Sequence, residues 1–306
     1  MKTPQVELVS DTDKLSSDAS ASRRSRNQLW KLANLETHRP VLNEEDCSEV
    51  VNVISYYCTR YLEQVEGKVV VLKERSFEQL KHPIDLYLVL PYTTRFDERY
   101  VRRLRKKFKR LTKALSFNHG RHTFMTVTFD MKKRVSLHQM YKEFSKGVSQ
   151  LIDRIKKKYR LFGYLKTFEF THSYLIHAHI LLIGVDFISP EWLTETLEKI
   201  GLGKIKHIKE FKGNVKSAFG YFFKYVRKQF NVPSNHDGGI NENLLLAWAL
   251  GIRSFSMSKS LVDLSSSSKT NFEVKFEWYY IGTFEDKGVY GVLTWKEFAM
   301  LYYGDG

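Results

Sequence analysis

The sequence predicts an α+β fold whose central sheet is antiparallel. Between residues 118 and 231, short runs rich in β-branched and aromatic residues alternate with longer segments of helical periodicity. The predicted order is strand, helix, strand, strand, helix, strand, helix. A tight connection forces neighbouring strands to run antiparallel, and Thr171 to Tyr174 is such a connection between Gly163–Phe170 and Leu175–Gly184. A doubly wound parallel sheet is therefore excluded for this segment.

The residues before this segment predict a flexible tail and a small mixed unit. Residues 1–28 are rich in Ser, Asp, Lys and Arg and have few large apolar side chains, so they cannot offset the entropy of ordering. A helix is predicted around Cys47 to Val65. Apolar strands are predicted at Val69–Leu72 and at Leu86–Leu90, the second of them ended by Pro91.

The elements of the central segment follow from periodicity and from capping residues. Ser189 and Pro190 suit the N-cap and the first position of a helix that ends at Gly201 and Gly203. The other predicted elements are strands at Phe124–Phe129 and Lys204–Lys209, a helix at Leu137–Tyr159 and a helix that begins at Asn214.

Positive charge is concentrated in one part of the chain. The 306 residues carry a net charge of +15, but the segment from Arg99 to Lys228 contains 30 basic and 9 acidic residues, so the rest is net acidic. A basic surface of this size attracts polyanions, because each phosphate that Lys or Arg neutralises releases condensed counterions. The distribution predicts a nucleic-acid partner. Ordinary solvated helix faces are the alternative.

The segment RYVRRLRKKFKR, residues 99–110, predicts an amphipathic basic helix. Its apolar residues fall near helical spacing, and eight cations cover the remaining surface. Such a helix could lie on a membrane or on a partner protein, but the basic segment that follows favours contact with a DNA backbone. The predicted DNA-binding residues, with two from a later helix, are Arg99, Arg102, Arg103, Arg105, Lys106, Lys107, Arg227 and Lys228.

Cysteine content and hydropathy exclude several classes of protein. Cys47 and Cys58 are too few for a disulfide scaffold or a four-cysteine zinc site. The longest apolar run, Leu244 to Leu250, is far shorter than the roughly twenty residues that cross a bilayer. The N-terminal residues contain no apolar signal core. We expect a cytoplasmic protein that is neither secreted nor in contact with a membrane.

Two histidines are predicted to share one face of a strand. Side chains alternate along LIHAHILLIG, so His177 and His179 lie on one face and the aliphatic residues on the other. If the two phenylalanines of GYLKTFEF join the aliphatic face, Glu169 lies on the histidine face. A five-residue connection would place Glu169 directly opposite His177. These three side chains suit Mn²⁺ or Mg²⁺ bound to a phosphate, although an H-x-H motif also occurs as a purely structural feature.

The motif Y-x-x-K-Y places two phenols and a cation on one helix face. Tyr221 and Tyr225 are one helical turn apart, and Lys224 lies beside both. A phenol with a pKa of about 10 is a poor nucleophile at neutral pH, so it needs an electrophilic phosphorus or a nearby cation. Lys224 offers the cation. An ordinary turn of an amphipathic helix is the alternative interpretation.

Together, FMTVTF at Phe124–Phe129, the H-x-H motif and the Y-x-x-K-Y motif resemble the motifs of rolling-circle replication initiators of the HUH endonuclease superfamily. The paired tyrosines are similar to the two-tyrosine branch, which includes phage gene A proteins and many plasmid Rep proteins. The resemblance covers residues 118–231 and implies a central antiparallel sheet flanked by helices. We therefore divide the chain into a flexible tail (1–28), an N-terminal accessory region with the basic helix (29–115), an HUH nuclease domain (116–232) and a C-terminal accessory region (233–306).

The resemblance implies a metal-dependent, site-specific DNA endonuclease and strand transferase. His177 and His179 would hold the metal ion. Tyr221 would attack the scissile phosphate and leave a 5′-phosphotyrosine and a free 3′-OH primer. Tyr225 would perform the second transfer, and Lys224 would position phosphate charge.

The third metal ligand and the partners are further expectations. Glu169 is the geometric choice for the third ligand, and His172 in the adjoining loop is the second choice. The implied DNA partner is single-stranded or supercoiled origin DNA in a prokaryotic host, copied by a DNA polymerase. Because no GxxxxGK[ST] phosphate loop occurs, a host helicase would unwind the duplex.

Two other functions are compatible with parts of this pattern. Rolling-circle transposases share the order of histidines first and two tyrosines later, whereas conjugative relaxases usually have the tyrosine first. A non-catalytic DNA-binding or copy-control protein would need only the basic helix and the aromatic surface. In the C-terminal region, Trp248, Trp278 and Tyr279 could stack on bases, and buried packing is the alternative.

Overall fold

The computed structural model confirms the α+β class with two antiparallel sheets and flanking helices. It describes residues 44–74, 85–115, 121–130, 132–133, 135–171, 173–203, 207–212, 215–230, 241–267 and 278–304. The predicted tail, His172 and Asn214 lie outside the described residues. No helix in these ranges combines the length and the apolar character that crossing a bilayer requires.

The described elements follow the predicted order. They are α1 (Glu44–Val65), β1 (Lys68–Glu74), β2 (Leu86–Pro91), α2 (Glu98–Leu115), β3 (His122–Thr128), α3 (Leu137–Lys158), β4 (Gly163–Phe170), β5 (Ile176–Ile183), α4 (Pro190–Ile200), β6 (His207–Phe211), α5 (Val215–Lys228), α6 (Glu242–Ala249), β7 (Ser256–Met257), α7 (Lys259–Ser267), β8 (Trp278–Glu285), β9 (Gly291–Thr294) and α8 (Trp295–Tyr303). The strand predicted at 204–209 begins instead at His207 within the described residues and extends to Phe211.

The chain forms two compact units, each built from segments that are distant in sequence. Among the described residues, one unit comprises 59–94 and 278–304, and the other comprises 44–58 and 95–267. The larger unit thus contains α2, α6 and α7, which the sequence analysis assigned to accessory regions. The reason is that α2 and α7 bury apolar side chains against the same sheet as the central segment.

The larger unit is organised around a five-stranded antiparallel sheet in the order β6-β3-β5-β4-β7. Every residue of β3 and β5 is buried, because these inner strands are covered on both faces. On one face, α3 contributes Phe144, which packs edge-on against Phe168 of β4. On the other face, α2, α5 and α7 share a hydrophobic core with Phe124 and Leu181.

A five-residue hairpin loop fixes the register of β4 and β5. The amide of Thr171 donates to the carbonyl of Leu175 at 3.0 Å, and the amide of Leu175 donates to the Thr171 hydroxyl at 3.1 Å. Tyr174 adopts a left-handed conformation with φ of 57°, which lets the chain reverse within this short loop. The register places Glu169 opposite His177 and Phe168 opposite Ala178, which confirms the predicted pairing and the predicted faces.

Helix α4 has the predicted ends. The Ser189 side chain accepts a hydrogen bond from the amide of Trp192, and Pro190 is the first helical residue. Gly201 ends the helix in a left-handed conformation with φ of 69°.

The smaller unit contains a four-stranded antiparallel sheet in the order β8-β1-β2-β9. Its core contains Val69, Val71 and Val89 from the inner strands and Phe298 from α8, whose ring stacks on Tyr87. Tyr279 on the outer strand β8 is exposed. The packing interpretation is therefore confirmed for Trp248, which is buried in the larger unit, and wrong for Tyr279.

Candidate active site

The two histidines lie on the central strand of the larger sheet, on the face that α5 covers. His177 is opposite Thr128 of β3, and His179 is opposite Thr126, so both imidazoles project from the predicted common face. Their exposed fractions are 8% and 4%. Burial under α5 means that these imidazoles belong to an enclosed polar site rather than to an open strand face.

Hydrogen bonds on both ring nitrogens fix the state of His179. Its Nε2 lies 2.7 Å from Oε2 of Glu169, and its Nδ1 lies 3.0 Å from the hydroxyl of Thr126. Burial, the largest influence, lowers the pKa of His179 below its ordinary value, so the imidazole is neutral at pH 7. The neutral ring then donates from Nε2 to the carboxylate and accepts at Nδ1 from the Thr126 hydroxyl.

Glu169 joins the histidine to a lysine of the neighbouring helix. The Nζ atom of Lys228 donates to Oε1 of Glu169 at 3.3 Å, while His179 occupies the other oxygen. Burial alone would raise the pKa of Glu169, but the hydrogen bond from His179 and the Lys228 ammonium hold it below its ordinary value. Glu169 is therefore an ionised, partly buried carboxylate with a partner on each oxygen.

The two tyrosines of α5 lie directly over this group. The ring of Tyr225 stacks on the imidazole of His179, with centroids 3.9 Å apart. The hydroxyl of Tyr225 donates to the hydroxyl of Tyr221 at 3.2 Å. Phe124 of β3 supports both phenols, with centroid distances of 4.9 Å to Tyr221 and 5.3 Å to Tyr225. The tyrosine and histidine motifs, about forty residues apart in sequence, thus form one contiguous site.

The tyrosine hydroxyls are not equivalent. Burial raises the pKa of Tyr225 well above its ordinary value, and the hydrogen bond that it donates to Tyr221 raises this pKa further. Tyr225 therefore retains its proton and stabilises negative charge on the oxygen of Tyr221. The arrangement favours Tyr221 as the first hydroxyl to act as a nucleophile.

The cations next to the phenols are not the one that the sequence suggested. Lys209 of β6 lies over the Tyr221 ring at 4.6 Å from its centroid, and Lys228 lies over the Tyr225 ring at 5.2 Å. Lys224 is exposed and lines a pocket beside Tyr221. Sequence analysis missed Lys209, because its contact with Tyr221 exists only once β6 has paired with β3.

The pocket beside Tyr221 lies between β6 and α5 and has a volume of about 640 Å³. We call it the β6–α5 pocket. The lining residues that matter for its chemistry are Lys209, Lys212, Ser217, Gly220, Tyr221 and Lys224.

The donor groups of the predicted metal site match Mn²⁺ or Mg²⁺ in kind but are joined to one another by hydrogen bonds. His177, His179 and Glu169 share one face, and the last two are in direct contact. Among the described residues, no three side chains of His, Cys, Asp or Glu are gathered closely enough to hold a metal ion. His179 and Glu169 would have to exchange their shared proton for the ion, and His177 would have to turn toward them.

The predicted DNA-binding residues form two groups. Most of those on α2 are exposed, and Arg102 pairs with Glu98 at 3.2 Å. Lys107 differs, because it is half-buried with its Nζ 5.7 Å from the centre of the Phe255 ring. Arg227 and Lys228 end α5, where Lys228 takes part in the site described above.

Gln229, directly after α5, is a second residue that sequence analysis missed. Its buried Nε2 donates to the Thr167 hydroxyl and to the Phe168 carbonyl, both at 2.8 Å. Thr167 in turn lies opposite His179 in the sheet. Gln229 therefore ties the end of the tyrosine helix to the strand that carries Glu169.

Comparison with known families places this site inside a segment that is typical of replication proteins. Residues 122–230 match the family described as Replication-associated protein ORF2. The match covers a little over a third of the chain and nearly coincides with the 118–231 segment in which the three motifs occur. It includes all of β3 through α5 and therefore both histidines and both tyrosines. No individual curated protein matches the chain.

Proposed function

We propose that this protein initiates rolling-circle DNA replication by nicking one strand at an origin with Tyr221 and later rejoining strands. The observation that carries the proposal is the continuous contact from Tyr221 through Tyr225 to His179 and Glu169, inside the segment that matches replication-associated proteins. That match favours replication over the transposase and copy-control alternatives.

The proposed reaction is a transesterification. The oxygen of Tyr221 forms a bond to the scissile phosphorus, and the bond from phosphorus to the 3′ oxygen of the preceding nucleotide breaks. The phenolic proton leaves Tyr221, and the departing 3′ oxygen gains a proton to become a 3′-OH. One phosphoester replaces another, so the 5′-phosphotyrosine keeps the energy that later rejoining needs.

The residues around Tyr221 supply positioning and charge. Lys209 and Lys224 place positive charge beside the phenol and the incoming phosphate, and the hydrogen bond from Tyr225 stabilises charge on the Tyr221 oxygen. A bound Mn²⁺ or Mg²⁺ ion, with His177, His179 and Glu169 as its ligands, would act as a Lewis acid on the scissile phosphate. Ligation requires the contact of Glu169 with Lys228 to open, which would release Lys228 toward the DNA.

Tyr225 is proposed to act second. While Tyr221 is a free phenol, Tyr225 donates its proton to that hydroxyl and is held against His179. Once Tyr221 is esterified, its oxygen is a poorer acceptor, so Tyr225 becomes available for the transfer that ends a round. The 3′-OH released in the first step would prime a DNA polymerase, and a host helicase would unwind the duplex.

A pool of random single-stranded oligonucleotides, labelled at either end, tests the proposal. In Mn²⁺ the protein should become covalently linked to fragments that carry the 3′ label, and a polymerase should extend the released fragments that carry the 5′ label. Sequencing of the captured fragments would define the cleavage site. Linkage to the opposite fragment, or hydrolysis with no linkage, would contradict the proposal.

A further inference from the structure

The β6–α5 pocket contains three lysines that no residue assignment above uses as a group. Lys209 and Lys212 come from β6 and the residue after it, and Lys224 comes from the exposed side of α5. None of the three forms an ion pair with a carboxylate in the ranges that the structure covers. Glu210 is the one acidic residue that lines the pocket in the described structure, so the positive charges exceed the negative charge.

The wall of the pocket that α5 forms is unusually open. Gly220 lies inside this helix, where glycine weakens helical structure, and no atom of the described chain lies within 4 Å of the position that a Cβ would take. Packing inside the protein therefore does not require a glycine at this position. The missing side chain leaves backbone and the Ser217 hydroxyl accessible next to Tyr221.

We propose that the β6–α5 pocket is a binding subsite for single-stranded DNA that holds a phosphate next to the one that Tyr221 attacks. The inference rests on the proposed function and specifies how the strand is held. Three lysines converge at a distance from Tyr221 that its own contact with Lys209 defines, 4.6 Å from ammonium to ring centre. A volume of about 640 Å³ is within the range that accommodates a nucleotide-sized group.

The direction of the strand follows from the position of the pocket. β6 is the outermost strand of the sheet in the described structure, so the pocket opens at the sheet edge next to the tyrosine helix. A strand whose scissile phosphate lies at Tyr221 can therefore leave the site along β6. The lysines neutralise its backbone charge without contacting bases, so this subsite contributes affinity and does not contribute sequence preference.

Equilibrium binding separates this subsite from the chemistry. The Tyr221→Phe, Tyr225→Phe protein would be titrated with a fluorescent thymidine oligonucleotide of about 12 nucleotides at several salt concentrations. Adding Lys212→Gln and Lys224→Gln should weaken binding about tenfold at low salt and reduce the slope of log affinity against log salt by about 1.4. The matched control, Lys156→Gln with Lys157→Gln on α3, removes the same charge from exposed positions on the other face of the sheet and should change both values little.

A steric variant tests the same pocket without a change of charge. Gly220→Leu places a good helix former at an open position, so the protein should remain folded by circular dichroism while binding weakens at least about fivefold. Affinity and salt slope equal to those of the control in both pocket variants would overturn the subsite. If these variants bind weakly but the unmodified protein forms no covalent DNA complex, the subsite stands and the proposed function fails.

Discussion

The hydroxyl of Tyr225 donates a hydrogen bond to the hydroxyl of Tyr221 across 3.2 Å, while the Tyr225 ring stacks on His179. One tyrosine thus links the second tyrosine to the histidine strand. Because Tyr225 is the donor, its own proton is retained and any negative charge that develops on Tyr221 is stabilised. The two phenols of this site have different roles before any substrate binds.

Replacement of Tyr225 by Phe should slow the first cleavage and not abolish it. The substitution keeps the ring stack on His179 but removes one hydrogen bond to the Tyr221 oxygen, which corresponds to a rate loss of about 2- to 12-fold. Single-turnover cleavage of a labelled oligonucleotide measures this rate. Tyr164→Phe, the same change on the opposite face of the sheet, is the control. A Tyr225→Phe rate equal to that of the control would show that this hydrogen bond has no part in activation.

Alanine at both His177 and His179 should abolish cleavage and leave salt-sensitive DNA binding in place. The reason is that the pair is proposed to hold the metal ion, whereas DNA affinity depends on Lys and Arg. Calorimetric titration with Mn²⁺ should show that binding is lost in the double variant and retained in His138→Ala on α3. Glu169→Ala should cost less activity than the histidine pair, since it is one ligand of three. Full activity in the presence of a chelator would contradict the metal assignment.

Sequence alone predicted the parts of this site that depend on local periodicity. The alternation of side chains along a strand and the length of one hairpin loop were sufficient to place Glu169 opposite His177. The helix that carries both tyrosines was predicted in the same way. The direct contact of Glu169 with His179 was not predicted, because diagonal neighbours are selected by side-chain rotamers and by the cover of α5.

Features that depend on pairing of distant segments could not be predicted. Lys209 contacts Tyr221 only after β6 has joined β3, and Gln229 contacts Thr167 across 62 positions of sequence. The grouping of β1 with β8 joins segments separated by about two hundred residues, so it contradicts any division of the chain into consecutive regions. Nothing in local composition signals such pairings.

Alanine at exposed cations of α2 should weaken DNA binding for all sequences alike. Arg102, Arg105 and Lys106 point to solvent, so their loss removes phosphate contacts and should reduce the salt slope by about 0.9 for each contact made with duplex DNA. Lys107→Ala is the informative comparison, because Lys107 lies over Phe255 and should instead lower thermal stability. Loss of sequence discrimination at an unchanged salt slope would assign base recognition to α2.

Replacement of Gln229 by Ala should destabilise the fold and slow cleavage together. The change removes two short buried hydrogen bonds that connect the end of α5 to β4, with an expected cost of about 2 kcal/mol in the free energy of unfolding. Denaturant unfolding measures the stability, and the cleavage rate is measured where the variant is fully folded. Gln139→Ala at an exposed position of α3 serves as the control. Wild-type stability in the Gln229 variant would show that these bonds do not hold α5 in place.

The central claim is that a tyrosine of α5 forms a covalent bond to DNA, and peptide mapping of the trapped complex tests it most directly. After incubation with labelled single-stranded DNA and Mn²⁺, proteolysis and mass spectrometry should locate the nucleotide on Tyr221. Tyr221→Phe should lose most of the complex and move the remainder to Tyr225, because the two hydroxyls are neighbours. The Tyr221→Phe, Tyr225→Phe protein should form none. A covalent complex in that double variant, or a nucleotide mapped to any other residue, would contradict the account.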